Sequence, residues 1–93
     1  MKKRAYWNHL ADAMQLYSEP LPGLSLVEIA GDCRVLIERH LGVIKYDRQQ
    51  ICIKSRFGCI VVYGCNLTLS QMSRAQLVIT GKIETVSLKR REN

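Results

Sequence analysis

No apolar run in this 93-residue chain approaches the ~18–20 residues that a membrane-spanning helix requires. The aromatic complement is thin: one Trp, one Phe and four Tyr. They form no stripe of stacking platforms of the kind single-strand nucleic-acid binders carry on a sheet face. The phosphate-cradling G-x-x-x-x-G-K-[ST] and G-x-G-x-x-G loops are missing, as is the zinc-peptidase H-E-x-x-H. The eight carboxylates are scattered, with no close pair in a strand context. The four cysteines, Cys33, Cys52, Cys59 and Cys65, contain no C-x2–4-C knuckle, the tight turn by which two sulfurs are aimed at one zinc. These absences weigh against a nucleotide-dependent enzyme, a zinc protein and a membrane-spanning helix, and the chain reads as a non-enzyme without a cofactor or small-molecule substrate. The start "MKKRAYWNHLADAMQ" is basic like a secretory leader, but His9, Asp12 and Gln15 interrupt the apolar stretch and no A-x-A-like site follows. The expectation is a cytoplasmic protein.

The chain suffices for one small domain with a thin core. Its apolar fraction of 47% is too high for disorder. A formal net charge of +6 suggests an anionic partner, yet its distribution is uneven. Lys2, Lys3 and Arg4 open the chain, and Lys89, Arg90 and Arg91 close it. Residues 5–88 hold eight basic and seven acidic side chains, so the body is nearly neutral. A nucleic-acid-binding fold carries its charge on the fold. Basic ends instead aid solubility or attract anionic lipid or RNA weakly.

Residues 5–18 place Tyr6, Trp7, Leu10, Met14 and Tyr17 at steps of three and four, the stripe of an amphipathic helix. Pro20 and Pro22 end it. The stripe either covers the protein's own sheet or docks on a partner protein or membrane surface. From Leu24 the pattern becomes short β segments: "LSLVEIAG", "CRVLIERH", "GVIKY", "ICIKS", "CIVVY", "NLTL", "QLVIT" and "KIETVSL". This predicts an antiparallel meander of about eight strands, closed up as a roll, a sandwich or a partly open barrel. Consecutive apolar residues such as Val35-Leu36-Ile37 and Ile60-Val61-Val62 imply that both faces are covered in places, by the helix or a second copy. Gly31, Gly64 and Gly81 read as strand ends where tight turns need positive φ. The organisation is a helix and Pro-containing linker over 1–23, a β domain over 24–88 and a basic tail over 89–93.

In "ICIKSRFGCIVVY", a three-residue loop Arg56-Phe57-Gly58 would pair Ser55 with Cys59, Ile53 with Val61 and Ile51 with Tyr63. Cys59 would then share a face with Ile53, Val61 and Tyr63, and Cys52 would lie on the other. A nucleophilic thiol needs a nearby base. His40 in "IERHLG" is the best local candidate, but nothing in the sequence places it beside a cysteine. All four thiols read as small buried packing residues.

The succession "IAGDCRVLIERHLGVIKY", "ICIKSRFGCIVVYGCNLTL" and "LVITGKIETVSL" resembles the YabP/YqfC family of sporulation proteins. The aromatic N-terminal stretch followed by "LPGL" looks more like the YqfC branch. The cysteine content departs from the family pattern. The resemblance carries over no catalytic residue. It implies a non-enzymatic binding or assembly module made in the mother cell during endospore formation, peripheral to the membrane around the forespore. Its expected partner is an integral membrane protein of the YqfD type, with Tyr6, Trp7, Leu10, Met14 and Tyr17 as the interaction surface. The alternatives are a self-assembling structural component of the spore, or a basic module that binds anionic membrane or nucleic acid.

Overall fold

The computed structural model describes residues 23–91. The helix expected over residues 5–18, with its stripe Tyr6, Trp7, Leu10, Met14 and Tyr17, and the basic residues Lys2, Lys3 and Arg4 lie outside them. Six strands follow: β1 (Leu26–Ala30), β2 (Arg34–Glu38), β3 (Val43–Tyr46), β4 (Gln50–Ser55), β5 (Gly58–Met72) and β6 (Gln76–Arg90). They form one antiparallel sheet in the order β1-β2-β6-β5-β4-β3. The sheet is not closed, and the expected continuous meander is corrected: β3 to β6 follow one another, but β2 pairs with β6, so the connection from β2 to β3 crosses to the far edge.

The strand count of eight is corrected to six, for a local reason. "CIVVY" and "NLTL" are one strand, and so are "QLVIT" and "KIETVSL". The glycines between them bend the chain without ending the pairing. The β5–β6 register slips between Tyr63 and Gly64 and between Cys65 and Thr68, where Asn66 has φ 53° and Gly81 φ 134°. Extra residues in one strand of a pair are what kink a ribbon.

The bend folds the sheet over itself. On one side of it β2 pairs with the start of β6, and on the other β4 pairs with the start of β5. β2 and β4 are not neighbours in the sheet, yet Val35 and Ile37 of β2 share one buried cluster with Ile51 and Ile53 of β4. Ile60, Val62, Leu67, Leu77 and Ile79 complete it. All of these alternate to one face of their strands, as period-two patterning requires. Val61 and Val78 are buried as well, at positions that alternate to the outer face.

Folding the ribbon over gives the domain two poles. At the bend pole, the β1–β2 turn and the β3–β4 turn supply carbonyls to backbone N–H groups that the slipped register would strand. Gly81 N–H donates to Cys33 O at 3.3 Å and Ile83 N–H to Asp32 O at 2.6 Å. Gly64 N–H donates to Gln49 O at 3.1 Å and Leu67 N–H to Arg48 O at 2.8 Å. At the opposite rim pole lie the β4–β5 turn, the β5–β6 turn and residues 39–42, which carry the chain from β2 across to β3.

Candidate functional site

The thiols come first, because they are the groups in the sequence most suggestive of chemistry. The β4–β5 hairpin closes one residue earlier than expected. Ser55 pairs with Gly58, Lys54 with Cys59, Ile53 with Ile60 and Cys52 with Val61. A shift of one residue moves every side chain of a strand to the other face relative to its partner. Cys59 therefore shares the outer face with Cys52, as its diagonal neighbour, and the expected separation of these two thiols is overturned. Burial first, and the hydrogen bond with Cys59 second, push the Cys52 thiol up from its ordinary pKa. That is the wrong direction for a nucleophile, which must be a thiolate.

The expected burial of the four cysteines is also corrected. Cys33 and Cys65 are exposed, while Cys52 and Cys59 are half-buried. Cys33 sits in the β1–β2 turn, where its thiol donates to Ala30 O at 3.6 Å. Cys65 lies at the bend, its thiol donating to Glu84 Oε1 at 3.7 Å. Among the described residues no three of His, Cys, Asp and Glu are grouped as metal ligands.

His40 is 8% exposed and sits in the crossover at the rim pole. Its Nδ1 accepts from Gly42 N–H at 3.0 Å, which leaves Nε2 to carry the proton and donate to Ser73 O at 2.7 Å. A buried imidazole with both nitrogens engaged by backbone is satisfied and pins two loops together. The candidate base of the sequence reading is thus a tie between the β2–β3 crossover and the β5–β6 turn. No cysteine is among its hydrogen-bond partners.

Beside this tie the surface sinks into a mostly apolar depression of about 680 Å³. Among the described residues it is lined by His40, Leu41, Gly42, Met72, Ser73 and Arg74. Leu41 and Met72 are 55% and 58% exposed, and Leu24 and Leu26 are exposed too. The depression exists because Leu41 N–H and Gly42 O both bond to Lys54, so the crossover is drawn toward β4, while His40 holds the β5–β6 turn on the other side. At the end of β4, Ser55 is fully buried, and among the described residues its hydroxyl has no hydrogen-bond partner. Leu41 and Met72 went unremarked in the sequence. The available signal was a lone large apolar residue inside each of two polar turn segments, "RHLG" and "SQMSR".

The basic residues expected at the C-terminus are held against the fold as far as Arg91. Lys89 and Arg90 end β6, opposite Cys59 and Gly58. Arg91 N–H donates to Phe57 O at 2.7 Å, and its guanidinium donates to Arg56 O at 2.8 Å. The remaining edges of the sheet are β1 and β3. No helix among the described residues is long and apolar enough to cross a membrane.

A family model described as the YabP family matches residues 24–93, which takes in all six strands. No curated protein and no solved structure matches the chain.

Proposed function

The chain belongs to the YabP family, and on that premise we propose that it is a non-enzymatic binding module, close to the YqfC branch, that assembles with an integral membrane protein during endospore formation. Family membership points to a sporulation-related protein. Work in the mother cell, at the membrane around the forespore and with a partner of the YqfD type, belongs to the proposal. The observation that carries the binding reading is the rim pole. Leu41 and Met72 stand exposed on the lining of one depression there, and Leu24 and Leu26 are exposed on the segment that the Ser25 hydroxyl bonds to Arg39. Scattered exposed apolar residues need no explanation, whereas a group of them beside a concave surface marks an interaction site. Tyr6, Trp7, Leu10, Met14 and Tyr17 add a second group of large apolar side chains in the sequence. The raised pKa of the Cys52 thiol and the satisfied imidazole of His40 support binding over turnover.

Co-expression with a YqfD-type membrane protein, followed by detergent extraction and pull-down, tests this reading. The full chain should bring the partner down. The double substitution Leu10→Asp, Met14→Asp should abolish recovery while the circular dichroism of the sheet is retained. Recovery that is unchanged when residues 1–22 are removed would overturn the assignment of the interaction surface.

A second reading, self-assembly into a structural component, draws on the two edge strands. β1 and β3 lie at the two ends of the sheet order, and the unpaired edge of a strand is a template for another chain. Ile29 of β1 and Ile44 and Tyr46 of β3 are exposed on those edges. Oligomers that grow with concentration in light scattering would favour it, and a monomer throughout would remove it.

A further inference from the structure

The rim pole is where the described chain begins as well as where the sheet is open. A Cβ on Gly23 would meet the Arg56 guanidinium, so Arg56 lies across the chain at that point. Two residues on, the Ser25 hydroxyl donates to Arg39 O at 2.9 Å. Arg39 directly precedes His40 and Leu41, which line the depression. Whatever precedes Gly23 therefore departs from the lip of an apolar hollow.

What precedes it is a stretch of 22 residues whose apolar side chains Tyr6, Trp7, Leu10, Met14 and Tyr17 share one helical stripe. Ser18 to Pro22 lie between stripe and lip. Five extended residues reach roughly 16–18 Å, enough to turn the stripe back onto the hollow. Size favours the same occupant. A hollow of about 680 Å³ takes a few large side chains. Six described residues line it, far fewer than the roughly 20–30 residues a side that a stable complex between separate proteins engages. A tethered segment needs less contact, because a short linker holds it at an effective concentration on the order of millimolar.

We propose that residues 1–22 of this chain seat their apolar stripe, Trp7 included, in the depression formed by Leu41, Met72 and the His40–Ser73 tie. The stripe is thereby stored against its own domain in the free protein and becomes available to a partner only by competition. This inference takes the helical stripe from the proposed function but requires no partner.

Trp7 is the only tryptophan in the chain, so its fluorescence reports this contact alone. In the full-length protein its emission should lie at shorter wavelength than in a free peptide of residues 1–22, and acrylamide should quench it severalfold less. Met72→Glu should restore the peptide-like emission and quenching, with the circular dichroism of the sheet unchanged. Leu10→Asp should do the same from the other side of the contact, with no change in any residue of the sheet. The signal should not change on dilution, because the contact is within one chain. Peptide-like emission from the unmodified protein would overturn the proposal. So would emission that neither substitution alters, or a shift on dilution, which would assign the contact to a second copy. Failure of the pull-down with Trp7 still shielded would sink the proposed partner and leave this inference standing.

Discussion

The two poles of the folded sheet meet the same problem in opposite ways. At each, strands end or bend and backbone groups lose their ladder partners. The bend pole answers with main chain alone: two turns lay four carbonyls against the N–H groups of Gly64, Leu67, Gly81 and Ile83. The rim pole has main-chain bonds too, among them Arg39 N–H to Ala75 O at 2.7 Å and Leu41 N–H to Lys54 O at 2.8 Å. But it adds the His40 imidazole as a tie and leaves a depression, exposed Leu41 and Met72, and a buried Ser55 hydroxyl with no hydrogen-bond partner among the described residues. An unmade hydrogen bond costs more than a made one contributes, so the first pole is built for stability. The second gives up some stability to keep apolar surface open.

The largest effect is expected from breaking the bend. Gly81 has φ 134°, and a Cβ there would sit 2.6 Å from Asn66 O, a backbone atom that cannot rotate away. Gly81→Ala should cost about 3–5 kcal/mol, a large share of the roughly 5–15 kcal/mol that holds a small domain together. Urea unfolding followed by circular dichroism measures it. A loss below about 1 kcal/mol would mean that the bend is soft and that the contrast between the poles is overstated.

The rim should break at a lower cost. His40→Ala removes one acceptor and one donor and strands Gly42 N–H and Ser73 O, for an expected loss of about 1–3 kcal/mol. Hydrogen exchange sharpens this prediction. Protection should fall around residues 39–42 and 73–75, while Gly64, Leu67, Gly81 and Ile83 keep theirs.

The two poles were unequally legible in the sequence. The strand segments themselves could be read from β-branched runs and turn residues. The bend could not, because glycine permits a stop and a kink equally, and nothing in "YGCN" or "TGK" tells one from the other. A similar ambiguity displaced the hairpin. Gly58 fits both the last position of a three-residue loop and the first position of a strand, and one residue decides which face Cys59 occupies. The rim was least legible. His40 was visible as a residue, but its partner Ser73 is 33 positions away, and only the β2–β6 pairing brings them together. Sequence periodicity describes one element at a time, whereas both poles arise from which elements adjoin.

The unpartnered hydroxyl offers a change of the opposite sign. Ser55→Ala deletes a buried oxygen without creating a space larger than one atom, and no bond in the described structure is lost. The expected gain is about 1 kcal/mol in the same urea titration. A loss of that size would show that Ser55 has a partner at the rim, and residues 1–22 would be the first place to look for it.

The smallest effect separates the poles by pH. Asp47 lies in the β3–β4 turn, whose Arg48 and Gln49 carbonyls serve the bend. Its carboxylate accepts from Gln49 N–H at 2.8 Å and Gln50 N–H at 2.7 Å. These two bonds, the one from Gln49 foremost, hold its pKa below the ordinary value of 3.8. A group whose pKa is lower in the folded state stabilises that state above its unfolded pKa, and the contribution fades as pH falls through the folded value. The window therefore lies below about pH 4. Asp47 is fully exposed to solvent, so the effect is small. The thermal midpoint of the native chain should exceed that of Asp47→Asn near neutrality, and the two should converge as the pH is lowered through that window. Such convergence would place an acid-sensitive element at the bend. A gap between native and Asp47→Asn that stays constant down to pH 2 would mean the turn is held by its backbone alone, and the two poles would then differ in packing but not in charge.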